Sequence, residues 1–141
     1  MNHKETALRK YLEKKIGTRW HVQAHEDKYS SGIPDLSYGL DGHNGWIELK
    51  VVDSFPKYSR NLVNLDHLRI FQVNWLINRG KKAGSCFILV KTENTYSLFK
   101  WEKARKLKYG VSANEFFSCA AKTWESSIDP GEFCKALIDF K

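Results

Sequence analysis

Gly32-Ile33-Pro34-Asp35-Leu36, followed across a short connection by Trp46-Ile47-Glu48-Leu49-Lys50-Val51-Val52, is the stretch that decides how this chain folds. The connection, Gly39-Leu40-Asp41-Gly42-His43-Asn44-Gly45, holds three glycines and an Asp-Gly step, a strong signal for a turn between neighbouring strands. Residues 46–52 are rich in β-branched and apolar side chains, as a buried strand requires. Side chains alternate faces along a strand, so Glu48 and Lys50 point one way while Ile47, Leu49 and Val51 point the other. Asp35, near the head of the preceding strand, comes beside Glu48 in this pairing. Two carboxylates and an ammonium in or near a core need a reason, because buried charge is costly unless paired or metal-bound.

A divalent-metal hydrolysis site supplies that reason. Mg²⁺ takes hard oxygen ligands, commonly one or two carboxylates with waters and substrate phosphate oxygens. Asp35 and Glu48 are the candidate carboxylates. An ion held there lowers the pKa of a water and neutralises charge on a phosphodiester in the transition state. Lys50, one pleat further on, either orients or deprotonates the attacking water or stabilises the pentavalent phosphate. The residues leave these roles open.

Pro34-Asp35, a gap, then Glu48-Leu49-Lys50 resembles the PD-(D/E)xK nuclease signature. The longer form, Ser31-Gly32-Ile33-Pro34-Asp35-Leu36 followed by Ile47-Glu48-Leu49-Lys50, resembles the VRR-NUC branch, the virus-type replication-repair nucleases. That branch is similar to archaeal-type Holliday junction resolvases. The resemblance covers residues 4–100 and implies an α/β, restriction-endonuclease-like fold. The expected element order is α-β-β-β-α-β-β, a mixed central sheet flanked by helices, with extra C-terminal helices. The resemblance further implies Mg²⁺ or Mn²⁺ on Asp35, Glu48 and the backbone carbonyl of Leu49. Related nucleases carry a glutamate on the first helix that completes the acidic cluster and a glutamine on the second that supports the lysine. Glu5 is chosen for the first role, with Glu13 in reserve, and Gln72 for the second. The implied activity is structure-selective DNA cleavage, including Holliday junctions, by a homodimer, since two symmetric strands need two active sites. A phage or other mobile-element origin is implied in the same way.

The 141 residues are read as one nuclease domain, 1–141, with a core over 1–100 and a helical extension over 101–141. A net charge of +7 favours a polyanionic partner without specifying one. There is no apolar run of about 18 residues, so no membrane span is expected. Met1-Asn2-His3-Lys4-Glu5 lacks the apolar stretch of a signal peptide. Cys86, Cys119 and Cys134 are odd in number and have no CxxC spacing. They read as reduced thiols in a cytoplasmic protein rather than a zinc site.

Outward from the motif, residues 4–16 predict an amphipathic helix with Glu5, Leu8, Leu12 and Ile16 on one stripe and Gly17 as its stop. Trp20–Ala24 reads as the first strand, with His21 and His25 too far apart on it to form a metal pair. Residues 53–64, holding Pro56, Lys57, Tyr58 and Arg60, read either as a flap over substrate or as a plain crossover. Leu65–Arg79 is the expected second helix, capped by Asn64 and closed by Gly80, with Leu65, Leu68, Phe71, Gln72, Trp75 and Leu76 inward. Ser85–Lys91 is apolar enough for a strand covered on both faces, parallel to the motif strand. Thr95–Phe99 follows as an antiparallel edge strand, then short helices over Trp101–Tyr109, Ala113–Thr123 and Gly131–Phe140. Arg9, Ser31, Lys57, Arg60, Lys103 and Arg105 are the candidate DNA contacts.

Two other functions compete with the nuclease. One is a nucleic-acid-binding module with a vestigial site; the filled Asp35, Glu48 and Lys50 positions weigh against it. The other is a hydrolase of small phosphate esters, for which no nucleotide-binding glycine loop is present.

Overall fold

Asp41 and Gly42, at φ 48° and 81°, make the two-residue turn between the strands Leu36–Leu40 and His43–Val52. Both central residues at positive φ define the hairpin turn that an Asp-Gly step favours. A computed structural model describes residues 1–26, 32–53, 55, 62–65 and 67–141. In chain order the elements are α1 (His3–Ile16), β1 (His21–Ala24), β2 (Leu36–Leu40), β3 (His43–Val52), β4 (Leu62–Val63), α2 (Ile70–Ala83) and β5 (Cys86–Thr92). Then come β6 (Thr95–Lys100), α3 (Ala104–Tyr109), β7 (Val111–Ser112), α4 (Ala113–Ser118), β8 (Lys122–Glu125) and α5 (Pro130–Asp139).

The main sheet runs β1-β2-β3-β5-β6-β8, and β4 pairs with β7 apart from it. Among the described residues only β3 and β5 pair in parallel, the geometry expected for two strands joined through a helix. Alternation sorts the core into two layers. Ile47, Leu49, Phe87, Leu89 and Leu98 pack with Leu8, Leu12 and Ile16 of α1 and Phe133 and Leu137 of α5. Ile88, Val90 and Phe99 point the other way, against Val73 and Leu76 of α2, Leu107 of α3 and Phe116 of α4. The result is the expected α/β architecture, a mixed sheet with helices on both faces. Among the described residues no helix is long and apolar enough to cross a membrane.

Two expectations need correction. The second helix begins at Ile70, with Arg69 as its N-cap, and runs to Ala83 before Gly84 ends it. Leu65 and Leu68 are buried, but in a turn before the helix, where the Leu65 N–H bonds the Leu107 carbonyl and the Leu68 N–H bonds that of Leu65. The inward residues of α2 are therefore Val73, Leu76 and Gly80, while Phe71 is exposed. Gly80 does not stop the helix: a Cβ there would lie 2.2 Å from the Trp101 indole, so its bareness lets that ring pack on the helix. The second correction concerns the C-terminal extension, which is not only helical. Its β8 covers β6, so Thr95–Phe99 is not an edge, and the helix expected over 113–123 ends at Ser118. Ser97 and Thr123, whose hydroxyls meet at 3.2 Å, join the extension to the core sheet.

Candidate active site

The register of β2 on β3 creates the site. Pairing stops at Leu36 opposite Ile47, so Glu48 to Val52 run on beyond the end of β2. Asp35, one residue before β2, turns into that gap. Its Oδ2 accepts the Leu49 N–H at 2.8 Å, and its own N–H donates to Glu48 Oε1 at 3.2 Å. A residue's N–H and C=O share one side of a strand, so the Leu49 carbonyl faces the same gap. Glu48 and Lys50 point to the α2 face, as alternation requires.

Glu5 reaches the same place from the first turn of α1. Asn2 Oδ1 accepts the Glu5 N–H at 2.8 Å and Glu5 Oε2 accepts the Asn2 N–H at 3.2 Å, a reciprocal cap. The remaining Glu5 oxygen, Oε1, lies 3.5 Å from Lys50 Nζ, and Glu48 Oε2 lies at the same distance from it. Lys50 also donates to the His67 carbonyl at 3.0 Å. All four charged groups are buried, Glu48 most deeply at 1% exposure. A cleft of about 320 Å³ opens onto Glu5 and Lys50, lined also by Asn2, Val51, Val52, Asp53, Asn64, Leu65 and His67.

Burial pushes the Asp35 carboxyl above its ordinary range, against the Leu49 N–H that lowers it, and the Glu5 charge raises it further. Glu48 is raised well above its range, first by burial and then by repulsion from Asp35, with Lys50 opposing. Glu48 Oε2 is buried without a hydrogen-bond partner. A cation beside it would relieve both the repulsion and the orphaned oxygen, and these are hard oxygen donors of the kind Mg²⁺ takes. The residues therefore fit such an ion. Among the described residues no group of three His, Cys, Asp or Glu side chains is close enough to form a full cage. That suits an ion held by two carboxylates and completed by water and substrate. Glu5 contacts Lys50 and Asn2 with its two carboxylate oxygens.

Stability should follow these titrations. Both carboxyls have folded-state pKa values raised above the unfolded ones, so their contribution is full below about 4 and is lost as pH rises through the raised values. In EDTA the unfolding free energy should fall as pH rises from mildly acid to alkaline, and Glu48→Gln should flatten that slope. Denaturant titrations at several pH values check this; identical slopes for the two proteins would refute it.

The other candidates fall elsewhere. Gln72 sits in the first turn of α2, and its Oε1 accepts the Arg69 N–H at 2.9 Å, so it caps that helix. No Gln72–Lys50 hydrogen bond occurs among the described residues. Arg9 and Glu13 pair with each other at 3.1 Å, and Glu13 is eight residues along α1 from Glu5, roughly 12 Å. Lys103 follows the end of β6 opposite Phe87, towards the far end of the sheet from Lys50, and Arg105 is exposed on α3. Ser31, Lys57 and Arg60 lie outside the described residues, as does most of the candidate flap. Three contributors were missed. Asn2 was readable from its Asn-x-x-Glu spacing. His67 offers only a carbonyl, and Lys108, bonded to the Leu68 carbonyl at 2.8 Å, is one of many lysines.

No protein-family model matches the sequence, and no curated protein matches it. Among solved structures, the chain is similar to Hjc, a Holliday junction resolvase from the archaeal hyperthermophile Archaeoglobus fulgidus. The match has a TM-score of 0.50 at 14% sequence identity and covers 82% of this chain and 98% of that one. The likeness is one of fold, and it supports the restriction-endonuclease-like architecture.

Proposed function

We propose that the chain is a divalent-metal-dependent endodeoxyribonuclease selective for branched DNA, of the PD-(D/E)xK type and nearest in motif to the VRR-NUC branch. The observation that carries this is the buried group of Asp35, Glu48 and Lys50 in the gap beyond β2, with Glu48 Oε2 3.5 Å from the Lys50 ammonium and without a hydrogen bond. One ammonium 3.5 Å from Glu48 Oε2 leaves the two carboxylates short of positive charge and that oxygen short of a hydrogen bond, which a divalent cation would supply. Asp35, Glu48 and the Leu49 carbonyl are the groups that would hold Mg²⁺ or Mn²⁺. When bound, the ion lowers the pKa of a water and offsets charge on the phosphodiester.

The chain's own groups have distinct tasks in this scheme. Asp35 shapes the turn from the incoming loop into β2 and fixes the backbone of Leu49. Lys50, restrained by Glu5 and the His67 carbonyl, presents its ammonium at the cleft, where it can donate to a phosphate oxygen or an attacking water. Glu5 is a positioning residue acting through Lys50. The similarity in fold to a Holliday junction resolvase directs the choice of substrate towards four-way junctions. Symmetric incision of such a junction calls for a homodimer.

The test is cleavage of a labelled four-way junction and a matched linear duplex with Mg²⁺, Mn²⁺ or EDTA. Paired, metal-dependent nicks in the junction are expected, with the duplex largely spared. Cleavage of both substrates would reduce the proposal to a general endonuclease. Intact junctions, flaps and nicked duplexes with either metal would sink it.

A further inference from the structure

Beside the site, the outer hairpin carries a second feature that the chemistry above does not use. The register β1-β2-β3 places His21, Gln23, Ser37, Asn44 and Trp46 on one face, the same face to which Glu48 and Lys50 point. His21, Gln23 and Asn44 are exposed. Together with Arg79 of α2 they border a shallow cleft of about 370 Å³. At its inner wall the Arg79 guanidinium lies 4.8 Å from the Trp75 ring centre and 5.6 Å from that of Trp46. The two indoles meet edge to face at 5.0 Å, and the His25 ring lies 5.2 Å from Trp46.

The chemistry of this cleft is selective. Among the described residues its lining consists of an arginine, a histidine, amides, a hydroxyl and aromatic rings, with no carboxylate. Amides and hydroxyls can meet either edge of a base, aromatic and guanidinium planes stack on unpaired bases, and a guanidinium also pairs with phosphate. The placement also fits: Trp46 and Glu48 are two residues apart on one strand face, roughly 7 Å. A strand whose phosphate met the carboxylates would have its next nucleotides within reach of Arg79.

We infer that this open face of β1-β2-β3 holds an unpaired strand of the DNA, stacked against Arg79 and the Trp46–Trp75 pair. The inference rests on the nuclease reading for its substrate. It adds that single-stranded segments next to a branch point, and not only duplex arms, are gripped by the protein.

The experiment measures binding of a short labelled oligothymidine and of a blunt hairpin duplex, in EDTA, across a salt series. Arg79→Gln is compared with wild type, and so is the double variant His21→Ala, Gln23→Ala, whose exposed positions leave the core untouched. Arg79→Gln should weaken oligothymidine binding at least about fivefold. The dependence of its log affinity on log salt should flatten by about 0.7. The double variant should shift in the same direction, and duplex affinity should stay at the wild-type level. Oligothymidine binding unchanged in both variants would overturn the inference, leaving Arg79 as a clamp on the end of α2. Equal losses on oligothymidine and duplex would also overturn it, by showing general attraction. Wild type that binds neither DNA would overturn the nuclease reading as well.

Discussion

Lys50→Ala should lower the rate of junction cleavage about a thousandfold, within the range seen when a positioned charge or proton-transfer group is removed. Its effect on DNA affinity should be small, because Lys50 is one of 23 basic residues and is 5% exposed. Single-turnover rates and EDTA binding curves separate the two quantities. The variant should also lose stability progressively as pH rises, because Glu48 and Glu5 lose the cation that sits 3.5 Å from each. At lower pH Glu48 can take up a proton instead, and the loss should shrink. Lys50→Met retains the aliphatic stem and should show the same kinetic defect, so a difference between the variants would report packing. Parallel loss of affinity and rate would assign Lys50 to phosphate docking. A rate within about tenfold of wild type would remove it from the chemistry altogether.

Gly32→Ala should damage stability and activity together. Gly32 has φ 86°, and an added Cβ would lie 2.4 Å from the Phe71 carbonyl oxygen and 2.8 Å from its carbon. Those atoms are helix backbone and cannot swing aside. Backbone strain and overpacking together should cost about 2–5 kcal/mol. Three residues later the same segment delivers Asp35 to Glu48, so displacement carries into the site. Gly42→Ala is the matched control: its φ is 81°, yet nothing lies within 4 Å of an added Cβ. That change should cost about 1 kcal/mol from backbone strain alone and leave cleavage intact. Equal melting shifts for the two variants would show that the close approach to Phe71 is unimportant.

The same residues show how far a sequence carries. Asp41-Gly42 announced the hairpin because positive φ at both positions is a local demand, and the alternation around Glu48 and Lys50 needs only a strand to be true. The start of α2 was misread for the opposite reason. Leu65 and Leu68 stand at a helical interval from Trp75 and Leu76, but they are held outside the helix by hydrogen bonds to α3, forty residues on, and buried in the core beside it, which no local pattern records. Lys122–Glu125 is too short for alternation to register and becomes a strand because β6 offers it an edge. In the site, carboxylates and lysine were legible by type, whereas the His67 carbonyl was not, since any residue supplies one. Gln72 illustrates the limit of role assignment: an inward amide was expected to serve the lysine, and it holds the beginning of its own helix.

Under the proposed nuclease function, the bond from the Leu49 amide to Asp35 has a practical consequence for anyone seeking an inert form of this protein to trap with DNA. Active-site acids are usually dispensable to the scaffold, so their removal gives sturdy dead variants. Asp35 is different, because it stands where β2 would otherwise continue and satisfies a backbone donor in the middle of the sheet. Truncating it leaves that amide stranded, an expense comparable to losing a buried hydrogen bond. The silent mutant to build is therefore Glu48→Gln, which removes the most deeply buried charge and keeps an amide oxygen to accept the Asp35 N–H.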